Sequence, residues 1–247
     1  MSPGITDRRG GLANIADIII APATAFDRLR AAPTWGWAFL VATLLGIAGT
    51  LMILPAVMHA ADLTMPATMA ATPQIAKLPP SQQARAIANA MKFARIGFQL
   101  SWLFIPIGVL LTGAVQAVIM LIANAAGHGD GTFKKFFALS QNVSVIGLGL
   151  ASLVAGLIVT MRGANSFETL SSVRGVTPSL ALLAPGASAV TNAFLSAFNV
   201  FTIWATVLLA IGMTGVAHIP RIPAWVAAIG MLLGTAALAA FGAARNG

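Results

Sequence analysis

Residues 96–129 read IGFQLSWLFIPIGVLLTGAVQAVIMLIANAAGHG, without a single Asp, Glu, Lys or Arg. A helix crosses a bilayer core of roughly 30 Å with about 20 apolar residues, and this stretch has room for them. Four further charge-free stretches occur, at residues 31–61, 136–161, 175–220 and 222–244. Only helices and closed barrels satisfy their backbone groups in lipid, and runs this long fit helices. The chain is therefore read as an all-α, polytopic membrane protein with five transmembrane helices.

Composition excludes the main alternatives. Hydrophobic residues make up 58% and charged residues 8% of the 247, too few charges to cover the surface of a soluble domain. A net charge of +8 invites a nucleic-acid reading. Yet no basic run is interleaved with aromatics as single-strand binding requires, so no nucleic-acid partner is expected. The cations are read instead as headgroup-facing and topogenic. The absence of cysteine excludes disulfides, iron–sulfur centres and thiol catalysis.

Residues 1–34 read as a cytosolic tail, with 1–10 mobile, followed by an interfacial amphipathic segment. Leu12, Ile15, Ile19, Phe26 and Leu29 recur mainly at helical spacings, with Asp17, Asp27, Arg28 and Arg30 elsewhere. Pro22 splits the segment into two short turns lying on the membrane. Phe26 and Leu29 are the expected anchors, and Trp35 and Trp37 stand where aromatic-belt residues belong. The apolar part of 15–22 is too short for a cleavable signal, so the first span is expected to act as an uncleaved insertion signal.

Residues 35–244 then form a single membrane domain, with spans at about 35–58, 98–124, 139–161, 191–219 and 225–244. In the first long connection, 59–95, Pro66, Pro73, Pro79 and Pro80 should keep the first half irregular. Ser81 is the expected N-cap of a helix running into span two, which Pro106 should kink. Between spans two and three lies a polar turn in which Gly127, Gly129 and Gly131 permit positive φ, Thr132 caps the next helix, and Lys134 and Lys135 mark one face. The second long connection, 162–190, holds the stretch Leu180–Leu183, too short to span. Pro220-Arg221-Ile222-Pro223 reads as a hinge before span five.

Long and short connections alternate, which puts the two long ones on one face of the membrane. Cations do not choose between faces. Arg8, Arg9, Arg28, Arg30, Lys134, Lys135 and Arg221 fall on one side; Lys77, Arg85, Lys92, Arg95, Arg162, Arg174 and Arg245 fall on the other. The first span usually dominates orientation, and Arg28 and Arg30 immediately precede it, which favours a cytosolic N-terminus.

No ionisable residue falls at mid-span, where functional sites of membrane proteins usually announce themselves. His59, His128 and His218 each sit at a span edge, so no metal site is expected. Ser101, Ser144 and Ser196 have no histidine at matching depth to act as base, so no catalytic residue is assigned. The Gly127–Lys135 turn lacks the strand context and spacing of a phosphate loop. No cofactor is expected. Small residues are more informative: Gly230 and Gly234 form a GxxxG on span five, and Gly147, Ala151, Ser152 and Gly156 a stripe on span three. Such stripes admit close helix contact, either within the chain or with a partner. Gln116, Asn124, Gln141, Asn142, Asn192 and Asn199 read as interhelical hydrogen-bonding residues.

Three stretches together resemble the bacterial branch of the Yip family (Ypt/Rab-interacting protein family). They are Ile18–Leu29 leading to Pro33-Thr34-Trp35, the turn and helix Gly127–Ser140, and Asn199–Trp204 followed by Leu208, Leu209, Ile211 and Gly212. The resemblance implies a bacterial inner (cytoplasmic) membrane protein with five spans, its N-terminus cytosolic and its C-terminus periplasmic or extracellular. It also implies an accessory subunit, since some bacterial relatives accompany ABC-type efflux components. The small-GTPase role of the eukaryotic members does not transfer.

The expected function is a non-enzymatic scaffold or accessory subunit acting through membrane lipids and a membrane-protein partner or a second copy. The alternative is a small-solute channel or carrier. A carrier requires a wet, polar cavity at mid-depth, whereas a scaffold can be packed dry. The missing mid-span charges favour the scaffold.

Overall fold

The structure, a computed structural model, describes residues 14–246. The expected tail, Arg8, Arg9 and Leu12 lie outside the described residues. Residues 14–20 are helical (α1), followed by α2 (Pro22–Ala31), α3 (Gly36–Ala70), α4 (Pro73–Ala76), α5 (Pro80–Leu100) and α6 (Ile105–Gly127). Then come α7 (Phe133–Ser144), α8 (Ala151–Arg162), α9 (Leu170–Arg174), α10 (Ala189–Ser196), α11 (Val200–Ala217) and α12 (Arg221–Asn246). Among the described residues five helical stretches are long and apolar enough to cross a membrane: Gly36–Ala70, Pro80–Gly127, Phe133–Arg162, Val200–Ala217 and Arg221–Arg245.

Their bounds differ from the expected ones, each for a local reason. α3 does not stop near residue 58 but continues to Ala70 with Pro55 and Pro66 inside it. Proline removes one helical hydrogen bond without forbidding the helix. Around Pro66 the Thr64 and Thr68 hydroxyls donate to the carbonyls four residues back, at 2.8 and 3.0 Å. At roughly 1.5 Å per residue, 35 residues reach about 52 Å, well beyond the hydrocarbon core. α5 starts at Pro80 with Pro79, not Ser81, in the capping position. It does run into span two, through a 3-10 turn at Ser101–Phe104 just ahead of Pro106. There the proline ring would crowd the carbonyl of Trp102, and the Ser101 hydroxyl donates to the Phe98 carbonyl at 2.7 Å.

Span three begins at Phe133, capped by Thr132, whose hydroxyl accepts from the Lys135 amide at 3.3 Å. It carries a π-helical turn at Val145–Leu150. Span four was expected from residue 191, but α10 ends at Ser196 and the spanning helix starts at Val200. Asn199 forces the break: its side-chain oxygen accepts from the Phe201 and Thr202 amides at 3.0 and 3.1 Å, and Thr202 closes a capping box. The Leu180 amide donates to the Phe198 carbonyl at 3.1 Å, which holds the 3-10 turn Leu180–Leu183 beside that break. Leu182 and Leu183 stay exposed. α12 begins at Arg221, so the hinge is His218–Pro220 rather than Pro220–Pro223.

The chain divides into two compact units. The first comprises the described residues up to Gly46 with Pro106–Ala151 and those from Pro178 onward. α11 is its central helix, packed against α2, α7 and α12. Gly212 makes this possible, since a Cβ there would lie 2.5 Å from Leu139 and 3.1 Å from Phe26. Phe26 and Leu29 are fully enclosed in this core with Ile18, so they are not lipid anchors as expected. The apolar residues left outside are Ile19 and Ile20. Helical periodicity identifies an apolar face but not whether protein or lipid covers it. Pro22 does separate α1 from α2, and Arg28 pairs with Asp17 and Asn14 across the joint.

The second unit comprises Ile47–Ile105 and Ser152–Thr177. Here α3 and α8 touch backbone to backbone: a Cβ on Gly49 would fall 2.2 Å from the Ser152 carbonyl oxygen, and one on Gly156 2.9 Å from that of Gly49. Below this contact Ala56, Ala60, Val159, Phe167 and Val173 form a small core. Asp62 and Arg95 join α3 to α5 at 2.8 Å. Both side chains are half-exposed, so the pair contributes at most about 1 kcal/mol.

Because Phe26 is 3% exposed and wedged against Gly212 and Gly215, Phe26→Ala should destabilise the protein by about 3–5 kcal/mol. The expected readout is a lowered melting temperature in detergent together with faster proteolysis of residues 14–31. Unchanged melting would show that α2 is not part of the core.

Candidate functional site

Among the described residues no three His, Cys, Asp or Glu side chains gather as a metal would require. Two other places concentrate polar chemistry, both inside the first unit. One is the junction of the two short connections. The other is a cavity at the mid-depth of the spans.

At the junction, the turn after α6 meets the end of α11. The Asp130 amide donates to the Ala217 carbonyl at 3.0 Å. His218 ends α11 in the left-handed conformation, φ 50°, its amide donating to the Thr214 carbonyl at 3.1 Å. That places its Nδ1 3.1 Å from Asp130 Oδ2, where it donates, because an ionised carboxylate only accepts. Lys135 reaches the Asp130 carbonyl and carboxylate at 3.3 and 3.5 Å. Partial burial pushes the Asp130 carboxyl up. The hydrogen bond from His218 and the charge of Lys135 more than reverse this, and its pKa lies below the ordinary carboxylate value.

The glycines of this turn serve close approach rather than positive φ. The positive-φ residue is His128, at 52°. A Cβ on Gly129 would stand 2.5 Å from Asn124 Oδ1 and 2.6 Å from the Ala217 carbonyl, and one on Gly131 2.1 Å from the Phe136 ring. Gly127 rests on Pro220 and Ile219. Asn124 organises the loop by accepting the Gly131 amide at 2.9 Å. Lys134 is exposed.

The second place is a cavity of about 260 Å³ between α6, the π turn, α11 and α12. Thr112 and Gln116 on α6, Ser144 ahead of the π turn, and Thr202 and Thr206 on α11 give it a polar lining. Gln116 stands at the middle of α6 and accepts a hydrogen bond from the Ser140 hydroxyl. Among these residues the sequence marks only Gln116 as an interhelical hydrogen-bonding residue, and none as a site. A signal was present: Thr112/Gln116, Ser140/Ser144 and Thr202/Thr206 are polar pairs four apart, hence each on one helix face. Which faces meet is a tertiary fact.

The remaining expected positions separate cleanly. Gly147 lies against Ala205 and Gly156 against Gly49, so both are used for packing within the chain. Gly230 and Gly234 have nothing within 4 Å of an added Cβ. Trp35 and Trp37 are each 37% exposed, and Trp35 also sets its ring edge on Phe137, centroids 5.3 Å apart.

This chain is an integral membrane protein. It is similar to "Membrane protein YknW" of Bacillus subtilis (strain 168), with 26% identity over 213 residues that cover 86% of this chain and 82% of that protein. The likeness supports a membrane-protein relative, not the Yip family in particular. No family model matches the chain. No solved structure matches it.

Asp130→Asn should loosen the junction by at most about 1 kcal/mol, since both partners are solvent-screened. A lowered carboxylate pKa contributes stability above the unfolded value, and that stability is lost as pH falls through the folded one. Protection of the Asp130 amide against hydrogen exchange should therefore hold at neutral pH and fall below pH 3.8 in the parent, with no such step in the variant. Equal pH profiles would exclude the carboxylate as the tie.

Proposed function

We propose that the protein is a non-enzymatic scaffold or accessory subunit of the bacterial inner membrane, working through contacts with another membrane protein or a second copy of itself. The observation that carries this reading is the unpartnered glycine face of α12. The small residues of span three are used within the chain, whereas an added Cβ on Gly230 or Gly234 meets nothing within 4 Å. A GxxxG face that its own chain leaves uncovered suits close approach of another helix. α3 is longer than a hydrocarbon core requires, and α5 has no buried residue and leaves Phe93 72% exposed, which adds helical surface for contacts. An ABC-type efflux complex is the assembly that the sequence resemblance favours.

Gly230→Leu with Gly234→Leu should leave membrane insertion intact, since both changes raise hydrophobicity. Crosslinks of α12 to its partner or to a second copy should be lost. A double variant that keeps every crosslink of the parent excludes this face.

The proposed orientation has the N-terminus and the 127–135 turn cytosolic. Two observations support it: the cations ahead of span one, and the meeting of both short connections at Asp130 and His218. In intact cells an impermeant thiol reagent should label Thr72→Cys and Ser171→Cys but not Ser2→Cys or Lys134→Cys. The opposite pattern inverts the topology.

A small-solute carrier is the second reading, and the mid-depth polar cavity is what favours it. Purified protein in liposomes that moves a solute, with a rate indifferent to the α12 changes, would replace the scaffold with the carrier.

A further inference from the structure

The mid-depth cavity contains a polar deficit. Ser140 donates to the Gln116 side-chain oxygen, and among the described residues the Gln116 amide nitrogen has no hydrogen-bond partner. Turning the amide over leaves its oxygen unpaired instead, so the deficit stands in either orientation. Thr112 likewise has no side-chain partner among the described residues, whereas the Thr206 and Thr235 hydroxyls bond their own helices at 2.7 and 2.9 Å. In hydrocarbon no bulk water is at hand to satisfy such groups. Gln116 is also central in α6, eleven residues from either end.

The cavity constrains what would fill it. None of its lining residues is ionisable, so a charged group there would have no counter-ion. Its volume of about 260 Å³ is that of roughly nine waters at about 30 Å³ each, enough for a polyol ester head but not for a whole lipid. The mouth is lateral: Leu148 and Thr235, near the middle of their spans, are exposed there. An opening at that depth faces acyl chains. One wall is the π turn Val145–Leu150, a backbone irregularity frequent at functional sites.

We infer that this cavity binds an uncharged amphiphile from the bilayer, its hydroxyl- or ester-bearing head hydrogen-bonded to Gln116 and Thr112 and its chain left in the lipid. A monoacylglycerol is the simplest member of the class. The inference does not rest on the scaffold reading; a scaffold and a carrier would both accommodate it.

The test uses the full chain in nanodiscs and a monoacylglycerol whose acyl chain carries a diazirine. Illumination should crosslink it to peptides from α6, α11 or α12, and unlabelled monoacylglycerol should compete. Gln116→Leu should lower the yield about fivefold, as expected for one lost interhelical-strength hydrogen bond. Thr235→Trp, which fills the mouth from an exposed position, should lower it at least as far. Both variants must elute as the parent does. If Gln116→Leu does not, the mouth variant and competition on the parent decide. Equal labelling by the free fatty acid of the same chain, or labelling indifferent to Thr235→Trp, overturns the site. Competition by glycerol alone overturns the bilayer as the source.

Discussion

Inside hydrocarbon a backbone N–H or C=O that leaves the helical ladder must find a partner within the protein. At several breaks in this chain a side chain or a 3-10 backbone bond supplies one. The Trp102 carbonyl ahead of Pro106 accepts the Ile105 amide, and Asn199 caps the helix that restarts after α10. Asn124 accepts an amide of the turn after α6, and Asn142 donates to the Thr34 carbonyl at 3.0 Å, fixing the chain just before α3. Polar residues scattered through an otherwise apolar sequence therefore mark several of the places where helices begin, as Thr132 and Asn199 do.

Close packing is the complement of that rule. Lipid offers no hydrophobic gain to helix pairing, so contact depends on fit. Gly49 with Gly156, Gly212 with Phe26, and Gly113 with the Gln141 side chain each remove the Cβ that would hold two elements apart. The same residue type on α12 does nothing inside the chain, which distinguishes an outward face from an inward one more clearly than hydropathy does.

The number of spans was legible in the sequence because charge-free runs are unambiguous. Their ends were not. Of the prolines in 59–80 that read as breakers, Pro73 and Pro80 do start new helices, but Pro66 lies within α3, because a missing hydrogen bond weakens a helix without stopping it. Hydropathy runs unbroken across 189–217, so only the capping preference of Asn199 could have placed the start of α11. Thr132 as a cap was readable from residue type and position. The junction at Asp130 was not, since its partner His218 lies 88 residues away. The role of Phe26 failed for a different reason: protein and lipid are equally apolar neighbours, and periodicity cannot tell them apart.

α11 holds the first unit together, yet it is the fourth of five spans to leave the ribosome. Before it arrives, Phe26 lacks the Gly212 and Gly215 surface that completes its seat. Ser140, Gln141 and Asn142 on α7, by contrast, bond Gln116, Val109 and Thr34, all of which precede them in the chain. The α6–α7 contact can therefore form as soon as both helices are made, whereas the seat of Phe26 waits for α11. Closure of the first unit is consequently stepwise in chain order, with its central helix added to a pair of helices that already fit each other.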